Sequence, residues 1–213
     1  MPNGCVSAIV TDPPYNVGLE YADGDDRRLD YKAWSAEWFH EAQRVSSVCV
    51  AISCGVANLM AWHDIAEPTW ILAWLKPNAI SRVNVGLNTW EPILLYGKPA
   101  GKRTHDSFIA NVSHQLDTGD HPCPKPLKWA REVIERTTEE GMSVCDPFMG
   151  TGTTGVACVK MGRQFIGIEI SEHYFQICEK RIAKAQSQLA FPIQWGEQTG
   201  RQKKWVTVKW TSG

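Results

Sequence analysis

The sequence predicts an α/β protein with a mostly parallel, twisted sheet and helices on both of its faces. Segments with the hydrophobic pattern of strands alternate along the chain with segments of helical period. This alternation is typical of parallel sheets, whose two faces are both covered. The length of 213 residues and the hydrophobic content of 43% suit one domain with an interior core.

The composition excludes several other classes of protein. Lys and Arg number 22 and Asp and Glu number 23, so the net charge of −1 indicates no particular partner. The apolar runs fall short of the ~18 residues that a membrane span needs. Because the N-terminus also lacks a secretory signal, we expect a cytoplasmic protein without a membrane anchor. The seven cysteines form no C-x-x-C pair, so we expect buried thiols and no metal site.

Local signals predict the elements of the first half of the chain. A β-branched run over residues 6–11 predicts a buried strand, which ends at Asp12-Pro13-Pro14 because proline has no N–H for the sheet. After Asp30, an expected N-cap, apolar residues recur every three or four positions and predict a helix. Its expected core face is Tyr31, Trp34, Trp38, Ala42 and Val45. The next predicted elements are strands over 48–53, 69–75 and 90–96 and a short helix over 57–66.

The second half opens with an irregular stretch over about 97–120, which we interpret as a variable insert. The elements predicted after it are a helix over 126–139, a strand over 143–145, a helix over 153–160, a strand over 164–168 and a helix that follows Ser171. The main domain is therefore expected to cover residues 1–189. A basic, tryptophan-containing tail over 190–213 follows, with an alternating pattern over 204–210 that is typical of one more strand.

The loop Asp12-Pro13-Pro14-Tyr15 follows the first predicted strand, where ligands bind in open α/β sheets. An exocyclic amine of adenine or cytosine is a poor nucleophile, because its lone pair is delocalised into the ring. The Asp12 carboxylate and the Pro13 carbonyl can accept its two hydrogens and localise that lone pair on nitrogen. Tyr15 offers a flat face on which an extruded base could stack, for roughly 1–3 kcal/mol. The alternative is a simple turn at the end of a strand.

A second loop, Asp146 to Gly155, lies between a predicted strand and a predicted helix. Its glycines let backbone N–H groups approach an anionic or nucleoside ligand at the helix N-terminus. Glu169 ends the next strand, where a carboxylate can accept both hydroxyls of a ribose. The glycine spacing also fits a dinucleotide fingerprint, although helix–strand packing explains Gly155 better. A phosphate-binding P-loop is excluded, because no Lys-Ser or Lys-Thr follows the glycines.

Together these two loops resemble those of the S-adenosylmethionine (SAM)-dependent DNA amino-methyltransferases, which methylate adenine at N6 or cytosine at N4. The catalytic loop comes before the cofactor loop, and the segment His121-Pro122-Cys123-Pro124-Lys125-Pro126 lies just upstream of the latter. This order is similar to that of the β class of these enzymes. The resemblance covers residues 5 to about 188 and implies a Rossmann-like methyltransferase fold that is circularly permuted.

The resemblance also implies roles for individual residues. Asp12, Pro13, Pro14 and Tyr15 would hold and activate the target amine, and Asp at position 12 favours adenine N6 over the alternative, cytosine N4. The implied cofactor site consists of Lys125, Pro126, Asp146, Phe148, Gly150, Thr151, Gly152, Thr153 and Glu169. Pro124 stands where the family usually has Gln, so any polar role of that side chain is lost.

Two departures from the family lead to further expectations. The strand and helix that usually precede the catalytic strand are missing, and the tail strand could replace the missing strand. The insert is too short for a large base-reading module, so we expect a short or relaxed DNA sequence preference, with Lys98, Lys102 and Arg103 on phosphates. A homodimer is possible. The rival functions are an NAD-dependent oxidoreductase, a DNA-binding module without catalysis, and a methyltransferase that acts on RNA or protein glutamine.

Overall fold

The computed structural model describes residues 1–21, 24–112, 117–119, 121–189 and 206–209. An eight-stranded sheet lies at the centre of the molecule. In chain order, its strands and those of two small hairpins are β1 (Val6–Thr11), β2 (Glu20–Tyr21), β3 (Gly24–Asp25), β4 (Ser46–Ser53), β5 (Trp70–Leu75), β6 (Arg82–Val83), β7 (Gly86–Leu87), β8 (Trp90–Gly97), β9 (Ser107–Ile109), β10 (Ser143–Asp146), β11 (Gln164–Glu169) and β12 (Val206–Lys209). The helices are α1 (Tyr31–Val45), α2 (Leu59–Ile65), α3 (Leu127–Thr137), α4 (Thr153–Lys160) and α5 (Glu172–Leu189).

The strand order of the sheet is β12-β11-β10-β1-β4-β8-β5-β9. Every strand of it runs in the same direction except β8, which is antiparallel to β4 and β5. The predicted α/β class with a mostly parallel sheet is therefore confirmed. We call the edge at which the parallel strands end the carboxyl edge. Because β8 is reversed, it begins at this edge and ends at the opposite, amino edge.

Strand β12 lies at one border of the sheet and pairs in parallel with β11, with Ile166 opposite Val206 and Glu169 opposite Lys209. The extra strand that the alternating pattern of the tail predicted is therefore present over Val206–Lys209. Residues 190–205 and 210–213 of the tail, including Trp205 and Trp210, lie outside the described residues.

The core forms two layers, one on each face of the sheet. Helices α3, α4 and α5 bury Trp129, Ala157 and Ile182 against one face. Helices α1 and α2 bury Phe39 and Trp62 against the other. The ring of Phe39 lies 5.8 Å from that of Trp62 and 4.6 Å from that of Tyr96 on β8, so it joins both helices to the sheet.

Three expectations about burial were wrong. Along α1 the buried positions are Tyr31, Ser35, Phe39, Ala42 and Val45, so Trp34 and Trp38 lie beside the core face and are half-buried. Trp70, expected in the core from its place in the strand predicted over 69–75, is exposed, because β9 pairs only with the Ala73–Leu75 part of β5. Among the cysteines, Cys5 and Cys123 are exposed.

Three short elements were not predicted: β9, the hairpin of β2 and β3, and the hairpin of β6 and β7. None of them has a long alternating pattern. The expectation for Gly155 was right. A Cβ there would lie 2.6 Å from Ile182 Cδ1 and 2.7 Å from Phe165 Cε1. In the described part of the chain, no helix has both the length and the apolar character that a membrane crossing requires.

Substituting Phe39→Ala is expected to lower the free energy of unfolding by about 3–5 kcal/mol, because it leaves a cavity between two helices and the sheet. Urea denaturation measures this change. Glu37→Ala, at an exposed position of the same helix, serves as the control and should change stability by less than about 0.5 kcal/mol. An equal loss for both variants would contradict the packing role of Phe39.

Candidate functional site

The two loops singled out in the sequence lie side by side at the carboxyl edge. Their strands, β1 and β10, are neighbours, with Ile9 opposite Cys145. The Thr11 hydroxyl donates a 2.7 Å hydrogen bond to Asp146 Oδ1 across the two strand ends, and both residues are buried. The Asp12 loop and the glycine-rich loop therefore lie next to each other at the carboxyl edge.

Asp12 is held through both of its carboxylate oxygens. Oδ1 accepts a 2.6 Å hydrogen bond from the Tyr15 hydroxyl, and Oδ2 lies 2.9 Å from Lys125 Nζ. The Asp12 side chain nevertheless keeps 23% of its surface exposed. Since a carboxylate oxygen can accept more than one hydrogen bond, Asp12 still has acceptor capacity for a ligand.

Glu91, which the sequence analysis did not select, completes this arrangement. Its Oε2 accepts a 3.1 Å hydrogen bond from the Tyr15 hydroxyl and lies 3.6 Å from Lys125 Nζ, while its Oε1 pairs with Lys76. Both lysines and Glu91 are buried. A single carboxylate within the apolar run of β8 was the signal that could have identified it. We call Asp12, Lys125, Glu91 and Lys76 the charge network.

The pKa shifts follow from burial and from this pairing. Burial raises the pKa of Asp12, and the nearby Lys125 opposes that effect only in part. Burial alone would also raise the pKa of Glu91, but Lys125 and Lys76 hold it below its usual value. Burial acts to lower the pKa of Lys125, whereas Asp12 and Glu91 raise it above normal. The network thus contains two cations and two carboxylates, and its charges balance.

Tyr15 is fixed from several directions. Lys125 Nζ lies 4.8 Å from the centre of its ring, and Asn58 Nδ2 donates a 2.7 Å hydrogen bond to its carbonyl oxygen. A Cβ at Gly55 would lie only 3.1 Å from Tyr15 Cδ2. Burial and the neighbouring Asp12 raise the pKa of the hydroxyl well above its ordinary value, so Tyr15 remains a neutral donor. Its role as a stacking surface for a base stays a prediction.

The glycine-rich loop depends on two left-handed backbone positions. Gly152 is the N-cap of α4 with φ +82°, and a Cβ there would lie 2.3 Å from Cys178 Sγ. Gly150 has φ +50° and donates its N–H to Glu169 Oε2 at 2.8 Å. The other oxygen of Glu169 accepts the N–H of Ser171 at 2.9 Å. Glu169 is therefore held at the mouth of the loop, next to the N-terminus of α4.

Asp146, the last residue of β10, links the two loops through hydrogen bonds. Its Oδ1 accepts hydrogen bonds from the Thr11 hydroxyl and, at 3.1 Å, from the N–H of Phe148. Burial raises the pKa of Asp146 to about 6, although the hydrogen bonds from Thr11 and Thr154 lower it. Its side chain therefore stabilises the junction of the two loops, and direct contact with a cofactor stays a prediction.

Other predicted cofactor residues surround the same loop. The ring of Phe148 lies 5.6 Å from that of Trp34 and 5.0 Å from that of Trp38, so both tryptophans contact the glycine-rich loop from beside the core face of α1. Arg181, buried on α5, donates to the Thr151 carbonyl at 2.6 Å and approaches the Thr153 hydroxyl at 3.3 Å. Pro126 is the N-cap of α3, directly after Lys125.

The three predicted DNA contacts lie elsewhere. Because β8 runs from the carboxyl edge to the amino edge, Lys98, Lys102 and Arg103 follow it at the amino edge, with Gly97 roughly 20 Å along the strand from Glu91. Lys102 lies 3.7 Å from Glu135 at the end of α3. The structure does not bring these residues to the candidate site, and their contact with DNA stays a prediction.

Within the ranges that the structure describes, no three His, Cys, Asp or Glu side chains are grouped as metal ligands would be. The residues that come nearest to the spacing of metal ligands in the sequence are His114, His121 and Cys123. His114 lies outside those ranges. His121 Nδ1 accepts the N–H of Cys123 at 3.2 Å, and its ring lies 4.9 Å from that of Tyr174.

Comparison with known proteins agrees with this geometry. A family model for N6/N4 DNA methylases matches residues 75–180. The type II methyltransferase M.HpaI of Haemophilus parainfluenzae is 26% identical over 83% of this chain and 68% of its own length. M2.DpnII of Streptococcus pneumoniae is 37% identical, but over only 38% of this chain and 31% of its own length. The crystal structure of an M1.HpyAVI–SAM complex superposes with a TM-score of 0.63, at 29% identity, over 83% of this chain and 88% of that one.

The chain belongs to this family of DNA methylases, as the resemblance of its two loops implied. The predicted Rossmann-like methyltransferase fold is confirmed by the same structural likeness.

Substituting Glu91→Gln is expected to lower the free energy of unfolding by about 3 kcal/mol, because two buried ammonium groups are left with one carboxylate. The double variant Glu91→Gln with Lys76→Met restores balanced charge, so its loss should be smaller than the sum of the two single losses. Denaturant unfolding of all four proteins measures this coupling. Additive losses would contradict the network.

The exposed ion pair of Lys32 and Asp64, at 2.8 Å, provides the matched control. Asp64→Asn should change stability by less than about 1 kcal/mol, because water solvates both charges.

The stability of the wild type relative to Asp146→Asn should depend on pH. The folded-state pKa of Asp146, about 6, lies above its ordinary value of 3.8, so the wild type gains stability as the pH falls through 6 and loses it as the pH rises. Between pH 7.5 and pH 4.5 the difference between the two proteins should change by about 2 kcal/mol in favour of the wild type. Denaturation at both pH values measures this difference, and a constant difference would contradict the shift.

Proposed function

We propose that this protein transfers a methyl group from SAM to the exocyclic amine of a base flipped out of DNA, with adenine N6 preferred and a short or relaxed recognition sequence. One observation carries the proposal. The Asp12 loop and the glycine-rich loop are joined at adjacent strand ends by the hydrogen bond from Thr11 to Asp146. A base that accepts the methyl group and the methyl donor can therefore bind next to each other.

The residues of the glycine-rich loop fit SAM. The left-handed Gly150 and Gly152 form the turn that leads into α4, and the N-terminus of that helix favours a carboxylate. Both Glu169 oxygens already accept one backbone N–H each, and each can still accept a ribose hydroxyl. When bound, SAM would supply an electrophilic methyl carbon on a positively charged sulfur.

The acceptor loop would supply the rest of the chemistry. Asp12 and the Pro13 carbonyl would accept the hydrogens of the amine and direct its lone pair at the methyl carbon that bound SAM would supply. The sulfur would leave as a neutral thioether. The Asp12 carboxylate, which is 23% exposed, would take the proton that the amine loses and pass it to solvent. Lys125 and Tyr15 orient the Asp12 carboxylate, so the main contribution of the protein is alignment of the reacting atoms.

Adenine is preferred because the family resemblance associates Asp at position 12 with adenine. Cytosine N4 is the alternative, since both amines need similar acceptors. An NAD-dependent oxidoreductase would use the glycine-rich loop alone and would leave the Asp12 arrangement without a purpose.

The experiment combines two variants with two measurements. Purified protein is incubated with unmethylated duplex DNA and tritiated SAM, and SAM binding is measured separately by calorimetry. Asp12→Ala should reduce methyl transfer by at least about a hundredfold while the Kd for SAM stays within about threefold, because Asp12 acts on the amine. Glu169→Ala should raise the Kd for SAM about tenfold or more, because ribose acceptors are lost.

Digestion of the labelled DNA to nucleosides identifies the modified base. Label in N6-methyldeoxyadenosine supports the preferred assignment, and label in N4-methyldeoxycytidine supports the alternative. If the protein binds NAD but not SAM, or transfers no label to DNA, the proposed function is wrong.

A further inference from the structure

The segment from Pro77 to Thr89 projects from the carboxyl edge and has no place in the chemistry described above. It connects β5 to β8, and both of its ends therefore lie at the edge that carries Asp12. Its middle part forms the hairpin of β6 and β7, in which Arg82 faces Leu87 and Val83 faces Gly86. We call residues 80–87 the apolar hairpin.

Large apolar side chains on the apolar hairpin are exposed to solvent. Their exposed fractions are 86% for Ile80, 47% for Val83, 96% for Val85 and 54% for Leu87. The tip is the pair Asn84-Val85, followed by Gly86 at φ +129°, a conformation that favours glycine. Several aliphatic side chains on one short protrusion are typical of a contact surface rather than of an ordinary solvated loop.

The base of the segment, in contrast, is firmly held. The N–H of Lys76 donates to the Thr89 carbonyl at 2.7 Å, and the N–H of Asn88 donates to the Ser81 carbonyl at 2.8 Å. Lys76 and Glu91, which flank the segment, form the buried ion pair of the charge network. Asn78 exchanges two hydrogen bonds with the backbone of Val112, at 2.7 and 2.9 Å. A fixed stem thus presents an apolar tip at the same edge of the sheet as the Asp12 loop.

We propose that the apolar hairpin inserts into duplex DNA next to the extruded base and fills the space that the base leaves in the stack. This inference rests on the proposed function, because a duplex whose base is methylated at Asp12 must lie over the carboxyl edge. Apolar wedges of this kind partially unstack base steps and stabilise a distorted duplex. Arg82, exposed within the hairpin, is suitably charged for a neighbouring phosphate.

The occupant is a DNA duplex rather than a second protein because of continuity with the site. The hairpin connects β5 to β8. Lys76 directly follows β5 and pairs with Glu91 near the start of β8, and Glu91 in turn lies 3.6 Å from Lys125, the partner of Asp12. Insertion would therefore occur at the level of the acceptor loop, where the displaced base must arrive. A single-stranded substrate needs no such insertion, since its bases are already free.

The test compares duplex with heat-denatured unmethylated DNA as the methyl acceptor, with tritiated SAM. The double variant Ile80→Ser with Val85→Ser should reduce the initial rate on duplex DNA by about tenfold or more and leave the rate on denatured DNA within about twofold. Leu189→Ser removes another exposed aliphatic side chain (55%), at the C-terminus of α5, and should change neither rate.

Permanganate oxidation of unpaired thymines in the duplex is a second readout, which does not depend on turnover of denatured DNA. The wild-type protein should create reactive thymines, and the hairpin variant should lose them. Equal losses of rate on both DNA forms, no loss on either, or unchanged permanganate reactivity would overturn the inference. A shift from dimer to monomer in sedimentation of the variant would also overturn it, because the hairpin would then be a protein interface. Absence of any transfer by the wild type would instead reject the proposed function.

Discussion

The parallel pairing of β1 with β10 is the constraint on which the site depends. It places the ends of two strands that are far apart in the sequence next to each other, and the bond from Thr11 to Asp146 fixes their spacing. The acceptor loop and the glycine-rich loop are the continuations of these strands. A change of register between the two strands would separate the loops even if each kept its own conformation.

The reversed strand β8 adds a second level of organisation. Because it enters the sheet at the carboxyl edge, it brings Glu91 to Tyr15 and Lys125 and presents the apolar hairpin on the same side. Because it leaves at the amino edge, it takes Lys98 and the residues after it away from the site. One strand direction therefore determines which of the two flanking segments can take part in the chemistry.

Local sequence signals predicted much of this fold, since they depend on neighbouring residues. The bounds of β1 and α4 match the predictions, and the spacing and glycines of the two loops indicated the class of site. The sequence did not predict the features that depend on contacts between residues far apart in the chain. The direction of β8 decides the surroundings of Glu91 and Lys98, and the two tryptophans of α1 follow Phe148, more than a hundred residues away. Periodicity alone assigned those tryptophans to the core.

The charge network also limits which substitutions this site can tolerate. Lys76, Glu91 and Lys125 are buried, Asp12 is partly buried, and the two cations balance the two carboxylates. Loss of one member leaves an odd charge that nothing nearby can neutralise. Lys76 and Glu91 are the two members farthest from Asp12. During evolution they must therefore be replaced together, so that one cation and one anion are lost at the same time.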